Sequence, residues 1–191
     1  MSKKAEKKYE FVEGDVKVIW PGRVAKRIRA LVTITSIGVQ IGHLGGYIEH
    51  EDRLNNAPTD EAWVFGEALV YDKARVSGKA RVFGEARVFG EARVFGEARV
   101  SGKAQVSGKA RATKTPLALS GLTWHVTITD AHMQIGCQSH ELTAWRDFDD
   151  NTIIALDGKD ALRFWRSYKM LLLGMAEADG RLQPVAPLVT K

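Results

Sequence analysis

The side chains with the greatest chemical reach in this 191-residue chain are five histidines, His43, His50, His125, His132 and His140, and the single cysteine, Cys137. An imidazole takes up and returns a proton near neutral pH, so each histidine is a candidate general base. No local context singles one of them out, and no catalytic residue is assigned. Thiolate and imidazole together suit zinc, which brings His132, Cys137 and His140 into consideration as ligands. They lack a Cys-x-x-Cys pair, so Cys137 reads as a buried structural thiol and no metal or cofactor is expected. Gly42, Gly45 and Gly46 do not form a phosphate loop, because neither a lysine-serine pair nor a helix start follows them.

Whatever positions these residues is built around a repeat. From Glu61 the chain reads EAWVFG EALVYD KARVSG KARVFG EARVFG EARVFG EARVSG KAQVSG KARATK, nine consecutive six-residue units ending at Lys114. The second position is alanine in all nine units, from Ala62 to Ala110, and the fourth is valine in all but the last, which has Ala112. A helix cannot use this pattern: a period of six spreads the valines around the axis, and each recurring glycine costs about 1 kcal/mol. A hairpin sheet would have to reverse at every glycine. A short strand with valine inward fits, followed by a corner where glycine supplies the unusual backbone angle and alanine the small inward side chain.

An aliphatic residue followed four positions later by a small one, as in Val64 with Ala68, Val70 with Ala74 and every later pair to Val106 with Ala110, resembles the left-handed parallel β-helix of the hexapeptide-repeat superfamily. The resemblance implies three units per coil, so that 61–114 supplies three coils rising roughly 4.8 Å each. More loosely, the chain resembles short phage- and prophage-encoded β-helix proteins, many described only as hypothetical or as transferases. Enzymes of the superfamily imply a histidine base for acyl transfer from coenzyme A at a cleft between subunits, yet 61–114 contains no histidine and no looped-out insertion. Its zinc-bearing relatives of the γ-carbonic-anhydrase type imply three histidines shared across a trimer. The closely spaced pair that this arrangement uses is missing here.

With three units per coil, residues 18 apart stack, and the outward positions sort into three columns. One stacks Leu69, Arg87 and Gln105 beside Tyr71, Phe89 and Ser107; another stacks Trp63, Arg81 and Arg99 beside Phe65, Phe83 and Ser101. The third stacks Arg75, Arg93 and Arg111, with Lys73, Glu91 and Lys109 at its corner, five positive charges against one negative. Outward aromatic ladders are costly in water, so Phe65, Tyr71, Phe83 and Phe89 are candidates for burial against another subunit, and the resemblance to the hexapeptide-repeat superfamily implies that the assembly is a homotrimer. The basic column, Arg75, Arg93, Arg111, Lys73 and Lys109, is the candidate binding site for an anionic partner. Neutralisation by acids of another segment or another subunit is the favoured fate of this column, because 37–60 nets −3 (one Arg, four acids) and 115–191 nets −2 (seven basic, nine acidic residues), and an anionic partner is the other.

The remaining composition sets bounds. Hydrophobic residues make up 45%, enough for one medium domain, and one cysteine excludes an internal disulfide framework. The start MSKKAEKKYE is charged and the longest apolar run near the C-terminus, 170–175, is far shorter than the roughly 20 residues of a membrane span, so no membrane association and a cytoplasmic location are expected. The expected organisation is a basic N-terminal segment and strand (1–36), a β-helix (37–137) with degenerate coils flanking the regular ones, and a C-terminal helical cap and tail (138–191). Within that cap, 140–148 and a second stretch from Asp157 to about Ala178 read as helices. The function these features favour is non-catalytic: a rigid face that binds a host protein or a phosphorylated small molecule, with nucleic acid engaged only without sequence specificity. An acyltransferase using a histidine base and acyl-coenzyme A is the alternative.

Overall fold

The structure, a computed structural model, describes residues 7–184; the basic start, including Lys3 and Lys4, and the C-terminal tail from 185 lie outside them. It is mainly β, 34% strand and 23% helix, and holds a β-solenoid of about 4 turns with a long C-terminal helix. The hexapeptides form nine two-residue strands: β4 (Trp63–Val64), β5 (Leu69–Val70), β6 (Arg75–Val76), β7 (Arg81–Val82), β8 (Arg87–Val88), β9 (Arg93–Val94), β10 (Arg99–Val100), β11 (Gln105–Val106) and β12 (Arg111–Ala112). Here β4, β7 and β10 stack in parallel, as do β5, β8 and β11, and β6, β9 and β12, each in the 18-residue register the repeat predicts. The inward column is the core, with Val64, Val70, Val82, Val88, Val94, Val100 and Val106 at 0% exposure. Glycines turn the corners at positive φ, and Asp72 (φ 57) stands where the second unit lacks one.

An irregular coil precedes the regular ones. Strand β3 (Leu44–Ile48) lies parallel on β5 with Tyr47 opposite Leu69, and Leu54 bridges to Val76; both separations are 22 residues (69 − 47 and 76 − 54), which hides this coil from an 18-residue count. The N-terminal segment is a hairpin, β1 (Tyr9–Trp20) and β2 (Arg23–Ala30), that continues one solenoid sheet through antiparallel pairing of β2 with β3. Tyr9 comes to lie edge-on to Trp63 at 6.3 Å. Trp63, expected on the outside, is therefore fully buried.

Downstream the coils stop earlier than expected. Beyond Pro116 the chain forms an antiparallel meander, β13 (Leu117–Leu119), β14 (Val126–Ile128), β15 (His132–Ile135) and β16 (Gln138–Glu141), in place of coils reaching residue 137. Its apolar side packs on helices α1 (Leu142–Asp147) and α2 (Asp150–Ala178) in a second core containing Ile128, Met133, Trp145, Trp165 and Leu172. Asp149 caps α2 by accepting the Thr152 N–H at 2.8 Å. Asp157, where the second helix was expected to begin, instead sits in a break within α2, where Gly158 takes φ 75 and ψ −165.

Candidate functional site

The basic face follows directly from the stacking. Arg75 pairs with Arg93 and Arg93 with Arg111 across β6, β9 and β12, while the alternate residues Val76, Val94 and Ala112 point into the core. All three arginines are exposed, and with Ser77 and Phe95 they line a surface cavity of about 340 Å³. The Arg111 guanidinium lies over the Phe95 ring, 5.2 Å from its centroid, so its stem and the aromatic cover each other. At the corner Lys73 approaches Glu91 at only 3.9 Å, with both side chains more than half exposed, a geometry worth little in water. Lys109, also exposed, makes no ion pair among the described residues.

The acids expected to neutralise this face are engaged elsewhere. Glu49 and Asp72 each hold Arg23 at 2.7 Å, Glu51 holds Lys7 at 2.7 Å, and Glu67 binds both Lys17 and Arg27 at 3.1 Å. The Arg23 contact keeps the Glu49 carboxyl below the ordinary range, and Lys17 and Arg27 do the same to Glu67. On the C-terminal side Asp179 takes Lys114 at 3.0 Å and Arg181 at 2.6 Å. The acidic block 37–60 thus packs against the basic N-terminal hairpin, and no carboxylate among the described residues pairs with Arg75, Arg93 or Arg111. Like charges stacked at about 4.8 Å in water repel by about 1 kcal/mol per neighbouring pair, a cost that one multivalent anion would remove.

The outward aromatics are less naked than the sequence implies. Phe65 packs against the core, Tyr71 stacks on Phe89 with centroids 5.0 Å apart and planes 5° from parallel, and Tyr71 also packs against the small cluster of Ala25, Tyr47 and Leu69. Phe83 is the most open of the four at 36% exposure.

The histidines do not converge. His43 accepts the Gln40 N–H at 3.2 Å, and His50 is exposed. His132 and His140 lie on adjacent strands, and burial pushes both below the ordinary imidazole range. His140 is held edge-on between Trp145 and Phe148, at 5.3 and 5.2 Å. Cys137 is exposed at the turn between β15 and β16, correcting its reading as a buried thiol. Among the described residues no three His, Cys, Asp or Glu side chains lie close enough to hold a metal ion.

Sequence reasoning missed one buried ion pair. Lys8, fully buried, donates to Asp60 at 2.7 Å and to the Ala62 carbonyl at 2.8 Å. A lysine in a charged leader carries no signal of burial; it goes inside because β1 crosses the open first coil. Also among the described residues, no helix is long and apolar enough to cross a membrane. No protein-family model matches the chain, and no curated protein matches it in sequence.

Proposed function

We propose that this chain is a non-catalytic binding protein of the left-handed hexapeptide type, phage- or prophage-encoded, that holds an anionic partner on its Arg75–Arg93–Arg111 column. The observation that carries this reading is the absence of any carboxylate partner for these arginines among the described residues, in a protein whose other acids are largely paired. Stacked guanidinium groups offer planar, two-pronged donors that match phosphate oxygens, and Ser77 and Phe95 beside them give a hydroxyl and an apolar ledge. A phosphorylated small molecule is the preferred ligand and an acidic patch on a host protein the second source of the same chemistry. A flat β face enters no DNA groove, so base-specific reading is not part of the proposal. Assembly as a homotrimer through the faces bearing Phe65, Tyr71, Phe83 and Phe89 completes it, and light scattering of Phe89→Asp against the native chain tests that part.

The decisive variant is Arg93→Glu. Small molecules retained by the native protein are identified by mass spectrometry and their salt-sensitive binding compared between the two chains. Lost binding with unchanged melting temperature supports the site. A variant that unfolds or dissociates makes the column structural, and one that changes neither property refutes the reading.

A further inference from the structure

A parallel solenoid passes backbone hydrogen bonds from each coil to the next, so its last coil ends with donors that need another partner. On the face built by β4, β7 and β10, the N–H groups of Arg81, Phe83 and Glu85 donate to the carbonyls of Ala98, Val100 and Gly102, each at 2.9 Å. One coil later the equivalent positions are Arg99, Ser101 and Lys103. The Arg99 N–H finds Thr115 Oγ1 at 3.3 Å, but among the described residues no acceptor takes the N–H of Ser101 or Lys103. The segment that would have supplied acceptors, β13, leaves the stack to pair with β14.

Its departure opens a groove of about 180 Å³. Ser101, Lys103, Ser120 and His125 line it, and His125 Nδ1 is buried without a hydrogen-bond partner. No aspartate or glutamate is among the lining residues. Above the adjoining sheet the meander closes over the last rung instead, with Thr127 Oγ1 accepting the Gln105 N–H at 3.1 Å and Ser107 donating to Gln134 at 2.7 Å. The open groove thus gathers two backbone donors left free among the described residues, an ammonium group and two hydroxyls, with no carboxylate to repel an anion.

We propose that this groove is a second ligand site, separate from the arginine column, that binds a small oxyanion: the phosphate or carboxylate group of a metabolite smaller than drug-sized ligands, whose pockets begin at about 300 Å³. Backbone N–H groups converging on a concave site bind anions without bringing a desolvation penalty of their own charge, and Lys103 supplies the balancing cation at the rim. The Ser101 and Ser120 hydroxyls adapt as donors.

The test uses the full ¹⁵N-labelled chain titrated at constant ionic strength with inorganic phosphate and, separately, with acetate. The amide resonances of Ser101 and Lys103 are expected to shift and saturate with one or both probes, and the probe that saturates names the oxyanion class. Lys103→Gln is expected to weaken that binding about fivefold or more, the loss of one charge-assisted contact, and Ser120→Ala to weaken it less. Arg93→Glu, which tests the basic column, should leave it unchanged, so the two sites fail independently. Shifts that never saturate would mean the groove holds water alone, and shifts confined to Arg75, Arg93 and Arg111 would place all anion binding on the other face. Amides already protected from exchange without either probe, in step with self-association by light scattering, would mean a second copy covers the edge; each of these three results overturns the proposal.

Discussion

At Gly46 a single methyl group has nowhere to go: a Cβ there would lie 2.6 Å from Val64 Cγ1 and 2.7 Å from the Ala68 carbonyl oxygen. Backbone cannot yield as a side chain tip can, so Gly46→Ala is expected to cost about 2–3 kcal/mol, read as a lower urea midpoint with unchanged slope. Gly45 meets the same wall at Val64 O, 2.7 Å away. The paired glycines are thus a packing requirement of β3 on the first regular coil. Lys8 shows the opposite economy, a charge kept inside by its partner. Lys8→Met leaves the Asp60 carboxylate buried with neutral donors only, the N–H groups of Gly78 at 2.7 Å and Ala62 at 3.0 Å and the Asn55 amide at 2.9 Å. The expected loss is about 3 kcal/mol, checked by the same denaturation measurement.

Among the elements, β15 and β16 carry a pH dependence. Burial lowers the pKa of His132 and His140 below 6.5, with Glu141 opposing it at His132 and the neighbouring His132 charge adding to it at His140. The unfolded chain therefore binds protons first as pH falls through 6.5, and stability is lost on the acid side until the folded values are reached. Thermal melts between about pH 7 and 5 should show a falling midpoint, and His140→Phe, which replaces a ring whose Nε2 is buried without a partner, should flatten that slope. The elements also differ in how plainly the chain announces them. Strands β4 to β12 were legible because each repeats the same inward Val and Ala, and so was the exposed arginine column; the other two outward columns were misread at Trp63, Leu69 and Ser107, which the N-terminal hairpin and the meander bury. The β1–β2 hairpin was not, although Pro21-Gly22 between two β-branched runs is a turn signal, with Gly22 at φ 80. The meander shares its alternation with a degenerate coil, and only tertiary pairing makes it antiparallel. The free N–H groups of Ser101 and Lys103 belong to the same blind spot, since they exist because a neighbour left.

For the whole molecule the governing fact is that each coil touches only the coils beside it, so stability sums over neighbours. Deleting 79–96 would join Gly78 to Glu97, remove β7, β8 and β9, and set Arg75 directly beneath Arg111. The shortened chain is expected to keep its helical circular dichroism and fold at a lower melting temperature, while anion affinity at the basic column falls with the loss of one guanidinium. Retained affinity would place the partner's contacts elsewhere. The six-residue unit itself has a different meaning for the two ends. Adding one unit keeps every core Val and Ala in phase but turns the meander and helices by a third of a revolution against the N-terminal hairpin, whereas adding three restores their alignment one rung farther apart. Unit number thus sets an azimuth and coil number a distance, so inserting or removing units re-aims one end of the molecule relative to the other without redesigning either.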